Sequence, residues 1–180
     1  MKQFVASLVL FALVASVTTA EARYLPSLEQ WFVIREQGAP NSDAIRLEVR
    51  LLSNSRALVA SFPNLIGPIH LSEQNAQLFS CEANWTIATS EARAFGLDGK
   101  PAFLFAHLGF LRSCGVTDDQ ALYWLHYNVA VGGVPSNLVV VLDATGTVVE
   151  RREFPQARSV EFEFGGKSYS LEFPAAEMPG

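Results

Sequence analysis

Residues 101–131 read PAFLFAHLGFLRSCGVTDDQALYWLHYNVAV, and whether this stretch winds or extends decides the fold class. Its second half carries Thr117-Asp118-Asp119-Gln120. That is the spacing of a capping box, in which the threonine hydroxyl accepts from a backbone N–H and the glutamine side chain returns the bond. Leu122, Leu125, His126 and Val129 then fall on one helical stripe, and Gly132-Gly133 supplies a stop. The spacing predicts a helix from Asp118 to about Val131. The first half opens with Pro101, suited to a first helical position, and ends at Gly115. Phe103, Leu104, Phe105, Leu108, Phe110 and Leu111 make it apolar on every side, which calls for burial as a central helix or as a two-sided core strand. Length favours the helix, so the two halves are expected to form an αα-hairpin turning at Gly115-Val116.

Outward from this stretch the pattern changes to strands. Before it, Trp31 to Glu36, a turn over Gly38 to Asp43 and Ala44 to Leu52 read as strand, turn, strand. Ile45, Leu47, Val49 and Leu51 alternate there with Arg46, Glu48 and Arg50, the period of a half-buried strand. Arg56 to Phe62 reads as a third strand, ended by Pro63-Asn64 and Gly67-Pro68. Residues 69–95 mix both periods, and helix and strand readings stay open there.

After it, Leu138 to Leu142 is a wholly apolar run and Ala144-Thr145-Gly146 a three-residue loop. Thr147 to Phe154 returns as an edge strand marked by Glu150, Arg151 and Arg152. Gly165-Gly166 makes a two-residue hairpin loop that fixes a register. Val160 then faces Leu171 and Phe162 faces Tyr169 on one side, while Glu161 faces Ser170 and Glu163 faces Ser168 on the other; Pro174 ends the arm. The sum is an α+β domain, an antiparallel sheet with C-terminal β-hairpins packed against a central helical pair.

The 180 residues are 49% hydrophobic and 17% charged, with a net charge of −5 and no basic cluster longer than Arg151-Arg152. Nucleic acid is therefore not expected as a partner, because phosphate binding needs a concentrated positive field. Lys2, the apolar run Phe4 to Val17 and Ala20-Glu21-Ala22 form a secretory signal peptide with cleavage expected after Ala22, leaving residues 23–180 as one globular domain. The run falls short of the roughly 20 apolar residues that span a bilayer, and no second stretch is long enough. The expected location is secreted or periplasmic. In an oxidising compartment Cys81 and Cys114 have one possible pairing, so a single structural disulfide is expected. Asn84-Trp85-Thr86 fits a glycosylation sequon.

Chemistry-bearing positions are few. In the expected helical pair His107 and His126 lie opposite one another, where they could share a proton or a metal. No His-x-x-x-His or Cys-x-x-Cys spacing accompanies them, so neither a metal nor a cofactor is assigned and their packing role has precedence. His70 reads as a core-edge histidine. No Gly-x-Ser-x-Gly and no phosphate loop occur, so no catalytic residue is named. A small-molecule site, if present, is expected near His107, Trp124, His126 and the loop holding Gly133 and Pro135, with Tyr123 and Tyr127 adding aromatic area.

Gly133-Val134-Pro135-Ser136, followed by Leu138 to Asp143 and Gly146-Thr147-Val148, resembles the proline loop, strand and hairpin partner of thioredoxin-like proteins over about 16 residues. The resemblance implies at most a redox-inactive relative. The positions Leu111 to Cys114 carry one cysteine where that family has two, and Cys114 stands too close to Pro135. Three function classes follow: a binding or interaction module for an unknown protein, a carrier of a small apolar ligand, and an enzyme of unknown class. The absence of a catalytic constellation puts the binding module first.

Overall fold

A computed structural model describes residues 20–37, 46–84, 86–131, 134–154 and 159–173. They form fourteen strands, and no helix occurs among the described residues. The first sheet is β1 (Ala20–Leu25), β2 (Gln30–Gln37), β3 (Arg46–Ser53) and β4 (Leu58–Leu65). The second is β5 (Ile69–Ser72), β6 (Gln77–Asn84), β7 (Thr89–Gly96) and β8 (Pro101–Leu108). The third runs in the order β9 (Phe110–Val116), β10 (Tyr123–Val131), β11 (Val134–Leu142) and β12 (Val148–Phe154). A fourth, two-stranded sheet is the hairpin β13 (Ser159–Phe164) and β14 (Lys167–Glu172). Every pairing is antiparallel and joins neighbours in the chain.

The expected α+β architecture is thus overturned, since residues 101–131 extend into β8, β9 and β10. Three physical reasons misled the helical reading. The third sheet is covered on both faces, so Tyr123, Leu125 and Tyr127 on one side of β10 and Leu122 and His126 towards the other are all buried, and no period-two alternation survives in the sequence. On β8 alternation does exist, with Phe103 and Phe105 half-buried, but the exposed positions are Ala102, Leu104, Ala106 and Leu108, which hide it. A segment expected to be buried all round is an edge strand instead. Finally, Thr117 to Gln120 caps a hairpin turn rather than a helix. The Thr117 hydroxyl accepts from the Leu122 N–H at 3.1 Å, and Asp119 Oδ1 accepts from the Ala121 N–H at 3.1 Å. Short polar side chains satisfy backbone donors equally well in either setting.

The other strands lie close to where they were expected, except that β4 runs on through Pro63 and Asn64, which were expected to end it. β2, β3 and β4 occupy the three strands read before residue 66, although the turn over Gly38 to Asp43 lies outside the described residues. The undecided segment 69–95 is β5 to β7. β12 is an edge beside the central β11, and the register of β13 with β14 pairs Val160 with Leu171 and Phe162 with Tyr169. Pro174 and residues 1–19 lie outside the described residues.

The sheets stack face to face in chain order. Leu25, Phe32, Val49, Leu51 and Phe62 of the first pack against Leu78 and Phe95 of the second. Phe79, Cys81, Ala92 and Ala94 of the second meet Leu111, Tyr123, Leu125, Leu138 and Val140 of the third. Val139, Val141 and Phe154 of the third then cover Val160, Phe162, Leu171 and Phe173 at the fourth. Alternate residues of a strand point to opposite faces, so each internal sheet contributes to two cores at once. Cys81 on β6 and Cys114 on β9 are joined in a disulfide that ties the second sheet to the third across 33 residues. No described helix is long and apolar enough to cross a membrane. An all-β stack whose Cys114 is bonded to Cys81 does not match a thioredoxin-like domain.

Candidate functional site

Among the described residues the fourth sheet has two strands where the others have four, and one edge of β14 has no strand partner there. Gly165 and Gly166 have φ of 59° and 77°, the type I′ geometry that a two-residue hairpin requires. In such a hairpin the residues flanking the loop bond one another, and bonded pairs alternate thereafter. Lys167, Tyr169 and Leu171 therefore direct their backbone groups to β13, while Ser168, Ser170 and Glu172 direct theirs away from it. Among the described residues no strand pairs with that second edge.

The edge opens onto a groove of about 890 Å³, floored by Val116 to Asp119 and Trp124 of the third sheet and walled by Lys167 to Glu172. One ion-paired network holds the two sides in place. Asp119 Oδ2 accepts from Lys167 Nζ at 3.0 Å and from the Tyr169 hydroxyl at 3.1 Å. Its Oδ1 accepts from the Thr117 hydroxyl at 2.8 Å. Desolvation pushes the Asp119 carboxyl up, but the hydrogen bonds from Lys167, Thr117, the Ala121 N–H and Tyr169 outweigh it and hold the group at about 2. The same contact raises Lys167, while desolvation together with the bond to Asp119 raises Tyr169.

Trp124 forms the apolar floor. Its Nε1 donates to the Val116 carbonyl at 3.2 Å, and its ring meets Phe173 edge-on with centroids 5.6 Å apart. The indole lies flat because its neighbour on β9 is Gly115, where a Cβ would stand 2.5 Å from Trp124 Cζ2. Asp118 and Glu172 add unpaired carboxylates by the groove, so its charge leans negative despite Lys167. The chemistry on offer is backbone hydrogen bonding along one side, an aromatic floor and an acidic rim.

Of the expected site residues that are described, only Trp124 lines this groove. His107 sits between the second and third sheets, its ring 4.6 Å from that of Tyr127, with Nδ1 buried and unpartnered. His126 sits on the opposite face of the third sheet, bonded to Asn137 Oδ1 through Nε2 at 3.0 Å and packed 4.5 Å from Phe173. The expected facing pair is therefore separated by the sheet, because β10 alternates where a helix would not. Burial lowers both imidazoles, and lowers His70 likewise. Tyr123 and Tyr127 are core residues, Tyr127 bonded to the Ser90 hydroxyl at 3.1 Å, and form no recognition surface. Pro135 is a strand residue paired with Ala130, and Gly133 lies outside the described residues. Among the described residues no cluster of His, Cys, Asp or Glu suits a metal.

Sequence reading missed Asp119, Lys167 and Tyr169, which are separated by 48 and 50 positions. A signal was present. The register of the Gly165-Gly166 hairpin puts Lys167 on the same face as Tyr169 and Leu171, and a cation on a packed face needs an acidic partner.

No family model and no curated protein sequence matches the chain. Solved structures do. The chain is similar to an acylaminoacyl peptidase of Pyrococcus horikoshii, with a TM-score of 0.53 and 10% identity over 78% of this chain and 26% of that one. It is also similar to the β-propeller domain of the Trilobed protease from Pyrococcus furiosus, described as having an open velcro topology, with a TM-score of 0.51 and 13% identity over 82% of this chain and 55% of that one. The chain thus spans about a quarter and about half of these proteins. At such identity the likeness is one of fold, and it agrees with the geometry: consecutive four-stranded meanders stacked face to face are the blades of a β-propeller.

Proposed function

We propose that this chain is an extracytoplasmic binding module that takes up an extended polypeptide segment along the free edge of β14. The observation that carries this reading is the row of outward backbone groups at Ser168, Ser170 and Glu172, opening onto a groove of about 890 Å³. Strand addition uses such an edge, with main-chain hydrogen bonds giving affinity and alternate side-chain contacts giving selectivity. Trp124 receives an apolar side chain of the incoming strand, and Asp118 and Glu172 favour a basic one. A carrier of an apolar ligand would instead need an enclosed apolar cavity by Phe103 to Phe110, and those residues belong to the edge strand β8 and its turn into β9.

The leader 1–22 and the Cys81–Cys114 disulfide support export. β1 begins at Ala20, so cleavage after Ala22 leaves Arg23, Tyr24 and Leu25 of that strand in place.

The test is the affinity of a synthetic peptide of alternating Val and Thr with a central Lys, against the same peptide with a central Glu. The Lys peptide binds and the Glu peptide binds at least about tenfold more weakly. Ser170→Pro removes an outward donor without breaking a bond to β13, and proline is tolerated at an edge. It abolishes binding while leaving the fold intact. Equal binding of both peptides to the native chain and to Ser170→Pro would overturn the reading.

A further inference from the structure

The stack of four sheets has two terminal faces, and their charges are opposite. On the first sheet the core-facing residues are Leu25, Phe32, Val49 and Leu51, so Tyr24, Trp31, Val33, Arg35, Arg46, Glu48, Arg50 and Ser61 project to the other side. Arg56 joins them by lying over the Trp31 ring, 3.7 Å from its centroid. Glu48 bonds Arg50 and Ser61 on that face, at 2.8 and 3.0 Å. Among the described residues of this face Arg35, Arg46, Arg50 and Arg56 stand against one carboxylate, Glu48, which Arg50 pairs, so the face is basic around an aromatic centre of Trp31 and Tyr24, whose rings are 5.2 Å apart.

On the fourth sheet Val160, Phe162, Tyr169 and Leu171 turn inward, and Ser159, Glu161, Glu163, Ser168, Ser170 and Glu172 project outward. All six are exposed, and the described residues of this face carry three carboxylates and no cation. Arg152 touches the Glu161 carbonyl from the third sheet but is itself paired with Glu150. The first and fourth sheets share no core within one chain, since each packs only on its own inner neighbour.

We propose that a second copy of this chain docks head to tail, the basic outer face of its first sheet covering the acidic outer face of the fourth. Face-to-face stacking already joins each sheet to the next inside the chain, and this contact continues the same rule between chains with matched charge. It is a heterologous contact, and two copies each offering both faces satisfy both at once by closing on one another. The groove beside β14 shares Glu172 with this face, but the two readings are tested by different variants and neither rests on the other.

The experiment is sedimentation equilibrium of the purified chain at about 0.1 mM, at low salt and at about 0.5 M salt. Self-association is expected at low salt and weakens at least about tenfold at high salt. Two charge-reversed variants locate the contact: Arg35→Glu with Arg56→Glu, and Glu161→Lys with Glu163→Lys. Each alone sediments as a monomer, because its two terminal faces now carry like charge. An equimolar mixture associates again, because each variant's altered face meets its complement on the other. That recovery also shows both variants to be folded. A native chain that stays monomeric at low salt, association unchanged in either variant, or a mixture that fails to associate overturns the proposal.

Discussion

Lys167 Nζ stands 3.0 Å from Asp119 Oδ2, joining the fourth sheet to the β9–β10 turn of the third across 48 residues. This contact, with Tyr169 on the same oxygen, fixes how far the hairpin stands from Trp124 and so sets the width of the groove.

Asp119→Asn is expected to lower stability by about 1–2 kcal/mol, allowing for the solvent that reaches the Lys167 amine. The pH dependence has a definite sign. The folded carboxyl sits at about 2, below its ordinary value of 3.8, so the network's contribution is complete above about pH 4 and is lost as pH falls towards 2. Acid unfolding followed by circular dichroism checks both, and Asp119→Asn flattens the curve in that window.

The buried histidines act in a separate window. Burial lowers His70, His107 and His126, so the unfolded chain takes up their protons first as pH falls. Their part of the stability is full above about 6.5 and declines below it. His126→Ala, which leaves Asn137 without its partner and a gap beside Phe173, is expected to cost about 2–4 kcal/mol by thermal denaturation. Peptide affinity at low temperature stays unchanged, because His126 does not line the groove. A loss of affinity without loss of stability would assign His126 to the site.

Cys81→Ala with Cys114→Ala is expected to cost roughly 3–4 kcal/mol, the loop-closure estimate for 33 residues. Alkylation of the unreduced exported protein finds no free thiol, by intact mass. Its first residue is expected to be Arg23 by N-terminal sequencing.

Gly115→Ala drives a methyl group into the Trp124 ring. Stability falls by about 1–3 kcal/mol, Trp124 swings into the groove, and the Lys peptide binds more weakly with a shifted tryptophan emission.

How much was legible depended on which residues occupied the wet faces. The β13–β14 register could be read because Glu161, Glu163, Ser168 and Ser170 mark one side and Val160, Phe162 and Leu171 the other. β3 was legible for the same reason, through Arg46, Glu48 and Arg50. β10 and β11 offered no such contrast, since cores lie on both sides of them, and β8 exposes Leu104 and Leu108 where a polar residue would have marked the period. With Thr117 to Gln120 imitating a helix start, local rules pointed one way and tertiary packing the other. At the site, Trp124 was legible as an aromatic with a polar handle. Asp119 was read as part of a cap and Lys167 drew no reading, and only the three-dimensional stack brings them together.

The most direct test is backbone amide exchange of the native chain with and without the Lys peptide. Strand addition protects the amides of Ser168, Ser170 and Glu172, whose N–H groups turn away from β13, and changes those of Tyr169 and Leu171 little, because they are already bonded to β13. Binding that leaves these three amides as fast as before, or that protects another strand instead, contradicts the account.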